Sequence, residues 1–257
     1  MKRSSAFCFL TLALLAVLGS AFAQQPGRIP AVGVLITHAP LTDPVVESIR
    51  SGFRALGYED GRNIRLAFVT AQGQLDRLPA LAQQLVDTGV DAIIAPNEMS
   101  ARAAQKVTSV VPIVMFAWSN DPVVLGLVAS YAKPGGNMTG IYSLAADLEA
   151  KRLELIKQAL PRVSRVAALS LDARLPAVAG YGEQVHAGFL MSYGTDIDDI
   201  YKRAAYFVDR LLKGAKASEL PVEQVAKFKL AVNLSTAKAL GITVSQSVLS
   251  RADEVIR

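Results

Sequence analysis

Short apolar runs alternate with amphipathic helical patterns along most of the chain, and this alternation constrains the fold more than any other feature. The first run, Ile29 to Ile36, predicts a buried strand. Asp43 and Pro44 then have the residue types of a helix N-cap and first helical position, and Gly57 ends the helical pattern. The alternating apolar positions from Ile64 to Phe68 predict a second strand. Such repeated strand–helix units are typical of a parallel sheet covered on both faces.

The same alternation continues to about residue 129. The predicted elements are a helix over Leu75 to Thr88, a strand over Ala92 to Ala95, a helix over Ser100 to Val107, a strand over Pro112 to Phe116 and a helix over Val123 to Ala129. Four strand–helix units predict one Rossmann-like lobe.

The strongest break in the chain is Lys133-Pro134-Gly135-Gly136-Asn137, which predicts a turn and, in our interpretation, a lobe boundary or hinge. After it come a short strand from Met138 to Ile141 and a helix from Asp147 to Leu160. Two apolar runs, Val166 to Leu169 and Leu175 to Ala179, then follow within a few residues. Parallel neighbours need a crossover of about a dozen residues or more, so these runs form a hairpin or a helical connection has been lost.

The C-terminal part resumes ordinary alternation. It predicts a helix from Asp198 to Lys213, a strand from Phe228 to Asn233, and helices from Ser235 to Leu240 and from Val248 to Ile256. The helix from Asp198 to Lys213 is expected to rejoin the first lobe and complete its layers.

The first residues have the pattern of an export signal. Lys2 and Arg3 precede an apolar run from Ala6 to Gly19, and Ala21-Phe22-Ala23 has the small residues required before cleavage. The sequence therefore predicts a mature periplasmic protein that begins at Gln24, with residues 1–23 as signal peptide. The apolar run is shorter than the roughly 20 residues that span a bilayer, so stable membrane insertion is not expected.

Composition excludes several classes of function. Without Lys2 and Arg3 the formal charge falls from +5 to +3, and no basic face with interleaved aromatic residues indicates nucleic-acid binding. Cys8 lies within the predicted signal, in a context unsuited to lipid attachment, so the mature chain has no thiol chemistry. The two histidines, His38 and His186, lie far apart in sequence and predict no metal site. No nucleophile elbow or phosphate-binding loop is present, so neither an enzyme nor a cofactor is predicted.

Several segments, in their order along the chain, resemble a known family. They are Arg28 to Leu35, Phe53 to Ile64, Asp121-Pro122, Lys133 to Gly140, Gly188 to Gly194, Leu212 to Lys216, Leu220 to Val222, Asn233 to Gly241 and Arg251 to Glu254. Together they resemble the ABC-transporter substrate-binding proteins of the aromatic amino-acid (tryptophan/tyrosine) type. The resemblance implies an α/β protein of two Rossmann-like lobes with parallel sheets and a hinge, a fold like that of type I periplasmic binding proteins. It also implies a small-molecule ligand, such as an amino acid, in the cleft and an ABC permease in the inner membrane as partner.

With this resemblance the lobes are expected at residues 29–118 plus 189–220 and at residues 139–188 plus 222–257. Family members carry further helix–strand units between the segment matching Val166 to Leu169 and the segment that begins at Arg174. At about 30 residues per unit, roughly 60–70 residues are missing, which truncates the second lobe. We therefore expect weak or absent ligand binding by the monomer. Two alternatives remain: a periplasmic sensor or partner domain without transport, and a non-functional deletion product.

Candidate ligand-binding residues follow from the position of strand ends, where helix N-termini and polar turns gather in a parallel sheet. In the first lobe they are Thr37, His38, Asn97, Glu98, Ser119, Asn120 and Asp121. Near the predicted hinge they are Thr139, Gly140 and Tyr142, and in the second lobe Asp172 and Tyr181. Each also has a purely structural interpretation: Asp121 as a cap, Asn97 and Glu98 as polar turn residues, and the tyrosines as half-buried lobe residues. Trp118 is either a cleft wall or a core residue.

Overall fold

The computed structural model describes residues 28–41, 44–117, 120–143, 145–162 and 176–257. The strands are β1 Ala31–Ile36, β2 Arg65–Thr70, β3 Ala92–Ala95, β4 Ile113–Ala117, β5 Met138–Tyr142, β6 Val178–Ala179, β7 Met191–Thr195, β8 Glu223–Gln224, β9 Phe228–Asn233 and β10 Glu254–Ile256. The helices are α1 Pro44–Arg54, α2 Leu78–Asp87, α3 Glu98–Val107, α4 Ala145–Ala159, α5 Gly182–His186, α6 Ile197–Leu212, α7 Leu234–Ala239 and α8 Gln246–Leu249.

Six strands form the sheet of the first lobe, in the order β2-β1-β3-β4-β5-β8, and all neighbours are parallel. The predicted strands over Ile64 to Phe68 and Ala92 to Ala95 are confirmed as members of this sheet. The carboxyl ends of all these strands therefore lie along one edge.

Helices cover both faces of the first sheet, as the alternating sequence predicts. Side chains of α1 and α6 pack on one face, including Phe53 and Phe207, which are about 1% exposed. Side chains of α2 and α3, including Leu85 and Ala104, pack on the other. The helix α6 comes from more than 140 residues later in the chain than α1, so this layer closes only after the chain has passed through part of the second lobe.

The second lobe contains a four-stranded sheet in the order β10-β9-β7-β6. β7 and β9 are antiparallel, whereas the outer pairs are parallel. This mixed arrangement has a topological cause: the chain leaves this lobe after β7 and returns to it through β9, so the two strands run in opposite directions. Leu155, Leu190, Leu230 and Val248 are part of its buried core.

The position of the lobe boundaries differs from the sequence prediction. β5 pairs with β4 and β8 in the first sheet, although residues from 139 onward were assigned to the second lobe. β7 lies in the second sheet, although residues 189–196 were assigned to the first. The chain crosses between lobes after Ser143, at Asp196 and between β8 and β9, and the Asp196 amide donates to Lys227 O over 3.2 Å across two of these crossings.

The predicted hinge at residues 133–137 is therefore a turn inside the first lobe. The amide of Ala129 donates to Pro134 O, and the amide of Gly135 donates to Ser218 O. Asn137 Nδ2 donates to the carbonyl oxygens of Thr108 and Val111. Local glycine and proline content identified the turn correctly but not the sheet that the next strand joins.

Two predicted helices are absent from their expected ranges. Residues 122–126 form turns, and the helix expected from Val248 to Ile256 ends at Leu249 and gives way to β10, which pairs with β9. The predicted signal peptide, the strand from Val166 to Leu169 and the gap before Leu175 lie outside the described residues. Among the residues described, no helix has the length and apolar character needed to cross a membrane.

Candidate functional site

The ends of β1 and β3 lie side by side, and a hydrogen bond links the residues that follow them. Asn97 Nδ2 donates to Thr37 Oγ1 over 2.7 Å. Thr37 is only 4% exposed, and its hydroxyl oxygen also lies 3.0 Å from His38 Nδ1. The sequence predicted all three residues as candidates from their places after the strands, and the structure brings them together.

Asn97 is held by the helix that it begins. It is the N-cap of α3, and its Oδ1 accepts from the Ser100 amide over 3.0 Å, while Ser100 Oγ accepts from the Asn97 amide. This reciprocal capping box satisfies amides that a helix N-terminus otherwise leaves unpaired. The structural interpretation of Asn97 is thus correct, and its amide nitrogen still reaches the strand-end cluster.

Glu98 of the first lobe and Tyr181 of the second lobe lie within electrostatic reach of each other. Glu98 is the first residue of α3, and Tyr181 precedes α5 in the second lobe. Burial raises the pKa of the Tyr181 phenol; the charge of Arg152 acts in the opposite direction, and the charges of Glu98 and Glu183 raise it further. A first-lobe carboxylate therefore influences the ionisation of a second-lobe phenol.

Arg152 is a residue of this region that the sequence did not identify. It lies within α4, its Nε donates to Tyr193 O over 2.7 Å, and its Nη1 donates to Glu149 Oε1 over 2.5 Å. Its side chain is 15% exposed, and its Nη2 would lie 3.0 Å from a Cβ atom built on Gly180. An arginine inside a helical pattern gives no sequence signal for a site, because its position depends on how α4 packs beneath β6 and β7.

Asp121 is engaged in a local network. Its Oδ1 accepts from the Val123 amide over 2.8 Å. A hydrogen bond from Tyr131 lowers the pKa of the Asp121 carboxyl, and the hydrogen bond from the Val123 amide lowers it further. The hydrogen bond to Asp121 in turn raises the pKa of Tyr131 to about 12. This arrangement fits the capping interpretation, with a turn in place of the predicted helix.

Three candidates near the predicted hinge face the interior of the first lobe. Thr139 is 0% exposed and its hydroxyl donates to Leu220 O over 2.8 Å. Gly140 has φ +140°, and a Cβ there would lie 2.1 Å from Met115 O, so this glycine permits close strand approach. Tyr142 is 9% exposed and stacks on Tyr131 with ring centroids 4.6 Å apart. Their contacts are structural, and we leave them out of the candidate site.

The remaining candidates do not add to the site that the structure describes. Asn120 is exposed beside Asp121. Ser119, Asp172 and Trp118 lie outside the described residues. Among the residues that the structure describes, a cavity of about 260 Å³ lies next to Arg50 and Tyr58 and one of about 170 Å³ next to His186 and Lys229, away from these candidates. The candidate site thus consists of Thr37, His38, Asn97 and Glu98 in the first lobe and of Tyr181 and Arg152 in the second.

Comparison with known proteins identifies the family. The family model described as ABC transporter substrate binding protein matches residues 30–171 and 168–256. The chain belongs to the ABC transporter substrate-binding protein family. The two matched segments together cover the chain from β1 to β10, and they meet at residues 168–171.

A curated relative of this substrate-binding protein is a tyrosine-binding protein of Clostridioides difficile (strain R20291). It is 38% identical over 128 residues, which are 48% of this chain and 36% of the relative. The matched part therefore spans about a third of that relative's length.

Solved structures agree on the fold. An ABC domain from Streptococcus pneumoniae in complex with L-Trp has a TM-score of 0.77 at 22% identity, and covers 89% of this chain and 100% of its own. A conserved domain protein from Vibrio cholerae gives the same TM-score and the same coverage at 24% identity. A ligand-free, open substrate-binding protein with adhesive properties from Clostridium difficile has a TM-score of 0.64 at 20% identity, covering 89% and 99%. The predicted fold of two α/β lobes is confirmed.

Proposed function

We propose that this substrate-binding protein is exported, binds a small zwitterionic solute such as an amino acid, aromatic ones included, between its lobes and delivers it to an ABC permease. The observations that carry the proposal are the Thr37–His38–Asn97 cluster at the carboxyl ends of β1 and β3, and the charges of Glu98 and Arg152, which both act on the pKa of Tyr181. The names of two relatives, a tyrosine-binding protein and a domain crystallised with L-Trp, support the choice of ligand class.

The chemistry of these side chains matches a zwitterion. Glu98 offers a carboxylate to an ammonium group, while Arg152 and the strand-end amide and imidazole groups offer N–H donors to a carboxylate. The phenol of Tyr181, about 38% exposed, supplies an aromatic surface at the same place. Charges of both signs on facing lobes favour a ligand that carries both, and lobe closure would bring them around it.

Because of the truncated second lobe, we expect a lowered affinity for the ligand. The two family matches meet at residues 168–171, where the sequence indicates missing units, and this supports the proposal that half of the cleft has been lost. Hydrogen bonds to charged groups contribute about 1.5–3 kcal/mol each, so two missing bonds weaken binding by roughly a hundredfold to ten-thousandfold. A dimer that pairs the exposed edges of the shortened sheet would restore contacts on that side.

Calorimetry and thermal unfolding test the proposal. L-tryptophan, L-tyrosine and L-phenylalanine are titrated into separate monomer and dimer fractions, with Glu98→Gln as matched variant. A ligand that binds only the folded state raises the melting temperature, and we expect weak binding by the monomer that Glu98→Gln reduces further. Absence of any melting shift at millimolar amino acid in both fractions would contradict ligand binding. Submicromolar binding by the monomer would contradict the effect assigned to the truncation.

Export and transport require separate tests. N-terminal sequencing of the secreted protein is expected to give Gln24 as first residue, and retention of Met1 would contradict cleavage after Ala23. Uptake of labelled amino acid by cells with and without the gene tests delivery to a permease. Equal uptake in both strains, with binding intact, would favour a periplasmic sensor.

A further inference from the structure

The orientation of the Asn97 side-chain amide is fixed by the helix that it caps. Its Oδ1 accepts from the Ser100 amide and lies 3.3 Å from Ser100 Oγ, so the opposite atom, Nδ2, points toward Thr37. A flipped amide would place a donor against the Ser100 N–H and an acceptor against Thr37, losing the cap. Asn97 therefore donates to Thr37.

The bond from Asn97 influences the direction of the hydrogen bond between Thr37 and His38. A hydroxyl has one hydrogen to donate and two lone pairs, and one lone pair of Thr37 Oγ1 accepts from Asn97 Nδ2. The hydroxyl hydrogen can be donated to His38 Nδ1, which lies 3.0 Å away. Among the hydrogen bonds of the described residues, a bond in the reverse direction, from His38 Nδ1 to the second lone pair, would leave the Thr37 hydrogen without an acceptor. Donation by Thr37 requires an unprotonated Nδ1, and the proton of the neutral ring then resides on Nε2.

We propose that Asn97 and Thr37 hold His38 as the Nε2–H tautomer, so that the first lobe presents an N–H donor to a carboxylate oxygen of the solute. The assignment of the solute rests on the proposed function, whereas the tautomer is inferred from the hydrogen bonds of Asn97, Thr37 and His38. Within the cluster His38 is exposed, Asn97 is half-buried and Thr37 is buried, so His38 is the residue most accessible to a ligand.

The assignment also orients the bound molecule. Glu98 follows Asn97 directly and repels a carboxylate but attracts an ammonium group. With the carboxylate at His38 and the ammonium at Glu98, the first lobe holds both charged groups of an amino acid. Asn97 acts as a positioning residue, since it determines which ring nitrogen of His38 carries the proton.

Nitrogen-15 NMR of the imidazole rings tests the tautomer without any ligand. The chain has two histidines, and His186, whose Nε2 lies 2.9 Å from Glu254 Oε1, serves as internal reference. At a pH where both rings are neutral, we expect His38 to show a protonated Nε2 and an unprotonated Nδ1. A protonated Nδ1 in the native protein would overturn the proposal.

Two variants test whether the hydrogen-bond chain from Asn97 through Thr37 to His38, here called the relay, sets the tautomer, or whether these residues only pack together. Asn97→Asp preserves a good N-cap but can only accept, so Thr37 must donate to it and accept from His38, and the tautomer is expected to reverse to Nδ1–H. Thr37→Ser retains the hydroxyl and should leave the tautomer unchanged. Circular dichroism checks that both variants are folded. The same tautomer in native protein and folded Asn97→Asp would overturn the role of Asn97.

Ligand binding is tested with L-tyrosine and with tyramine, which lacks the carboxylate. Replacing His38 by Ala should weaken L-tyrosine binding about 10- to 100-fold and leave tyramine binding unchanged. L-Tyrosine binding that shifts the signals of Glu98 but is unaffected by His38→Ala would overturn the carboxylate contact. If neither molecule binds at millimolar concentration, the proposed function fails while the tautomer result still decides the relay.

Discussion

The phenol of Tyr58 donates to Oδ1 of Asp209 over 2.8 Å and so joins two residues 151 positions apart in sequence. Tyr58 follows α1, and Asp209 lies on α6, which returns to the first lobe after β7. Asp209 is 9% exposed and also pairs with Lys213. This hydrogen bond links α6 to the N-terminal half of the first lobe.

Breaking this contact should destabilise the first lobe. Tyr58→Phe removes a hydrogen bond to a carboxylate, and we expect a loss of about 1–3 kcal/mol in the free energy of unfolding, measured with urea. A double-mutant cycle with Asp209→Asn isolates the interaction from the two separate substitutions. Additive single effects, with no coupling energy, would show that the pair contributes nothing to stability.

The same pair predicts a dependence of stability on alkaline pH. Burial, then the hydrogen bond and charge of Asp209, raise the pKa of Tyr58 to about 12, above the value of about 10 for an unfolded tyrosine. A pKa that is raised in the folded state contributes stability below pH 10 that is lost as the pH rises toward 12. The stability difference between native protein and Tyr58→Phe should therefore shrink over this range. An unchanged difference at pH 8 and pH 11 would be contrary to this reasoning.

For Asp209 the pKa is shifted downward, so its contribution to stability is lost at acid rather than alkaline pH. Burial opposes ionisation, but hydrogen bonds from Lys213 and Tyr58 outweigh it and leave the pKa of Asp209 lowered. A lowered folded-state pKa gives stability that is present at neutral pH and lost as the pH falls below about 4. Asp209→Asn should reduce the acid sensitivity of unfolding relative to the native protein, which acid titration followed by circular dichroism measures. Identical acid-unfolding curves for the two proteins would show that Asp209 does not govern this sensitivity.

Gly52 lies at a close contact between α1 and α6. A Cβ built there would lie 2.6 Å from Tyr201 O, so Gly52→Ala forces the helices apart. We expect destabilisation by about 1–3 kcal/mol, although alanine is the better helix former. Ser51→Ala, one residue earlier on α1, is the control and should be neutral or stabilising in thermal unfolding. Equal behaviour of the two variants would show that the helix crossing tolerates the methyl group.

Arg152 should affect both the second lobe and Tyr181. Arg152→Met removes the hydrogen bond to Tyr193 O and the positive charge that opposes the raised pKa of Tyr181. We expect the pKa of Tyr181 to rise further and the unfolding free energy to fall by about 1–3 kcal/mol. Carbon-13 NMR of the tyrosine rings measures the titration. The matched control Lys151→Met removes a charge that pairs with Glu154, and should leave Tyr181 unchanged.

The candidate site was partly visible in the sequence because strand ends in a parallel sheet share one edge. Thr37 and Asn97 each follow a short apolar run, and the parallel pairing of β1 with β3 makes them neighbours. Thr139 and Tyr142 also stand near a strand end, but their side chains face the layers of the first lobe rather than the cleft. Position along a strand identifies an edge, whereas the direction of each side chain depends on the packing around it.

The prediction of lobe boundaries failed for a related reason. The turn at residues 133–137 follows from its glycines and proline, and its hydrogen bonds with Thr108, Val111 and Ser218 keep it in the first lobe. The true crossings, such as Asp196, are short segments without unusual composition. Nothing local distinguishes a strand that stays in one sheet from a strand that joins another.

By itself the sequence determined most of the strands and helices of the first lobe and that helices cover its sheet on both faces, because apolar periodicity and capping residues act within a few positions. The turns at residues 122–126 and the short strand β8 were not predicted. Tertiary structure alone decided that β5 and β8 complete the first sheet and that the charges of Glu98 and Arg152 both act on Tyr181. These features depend on contacts between residues far apart in the chain, whose free energy arises from burial and pairing in the assembled lobes rather than from local conformational preference.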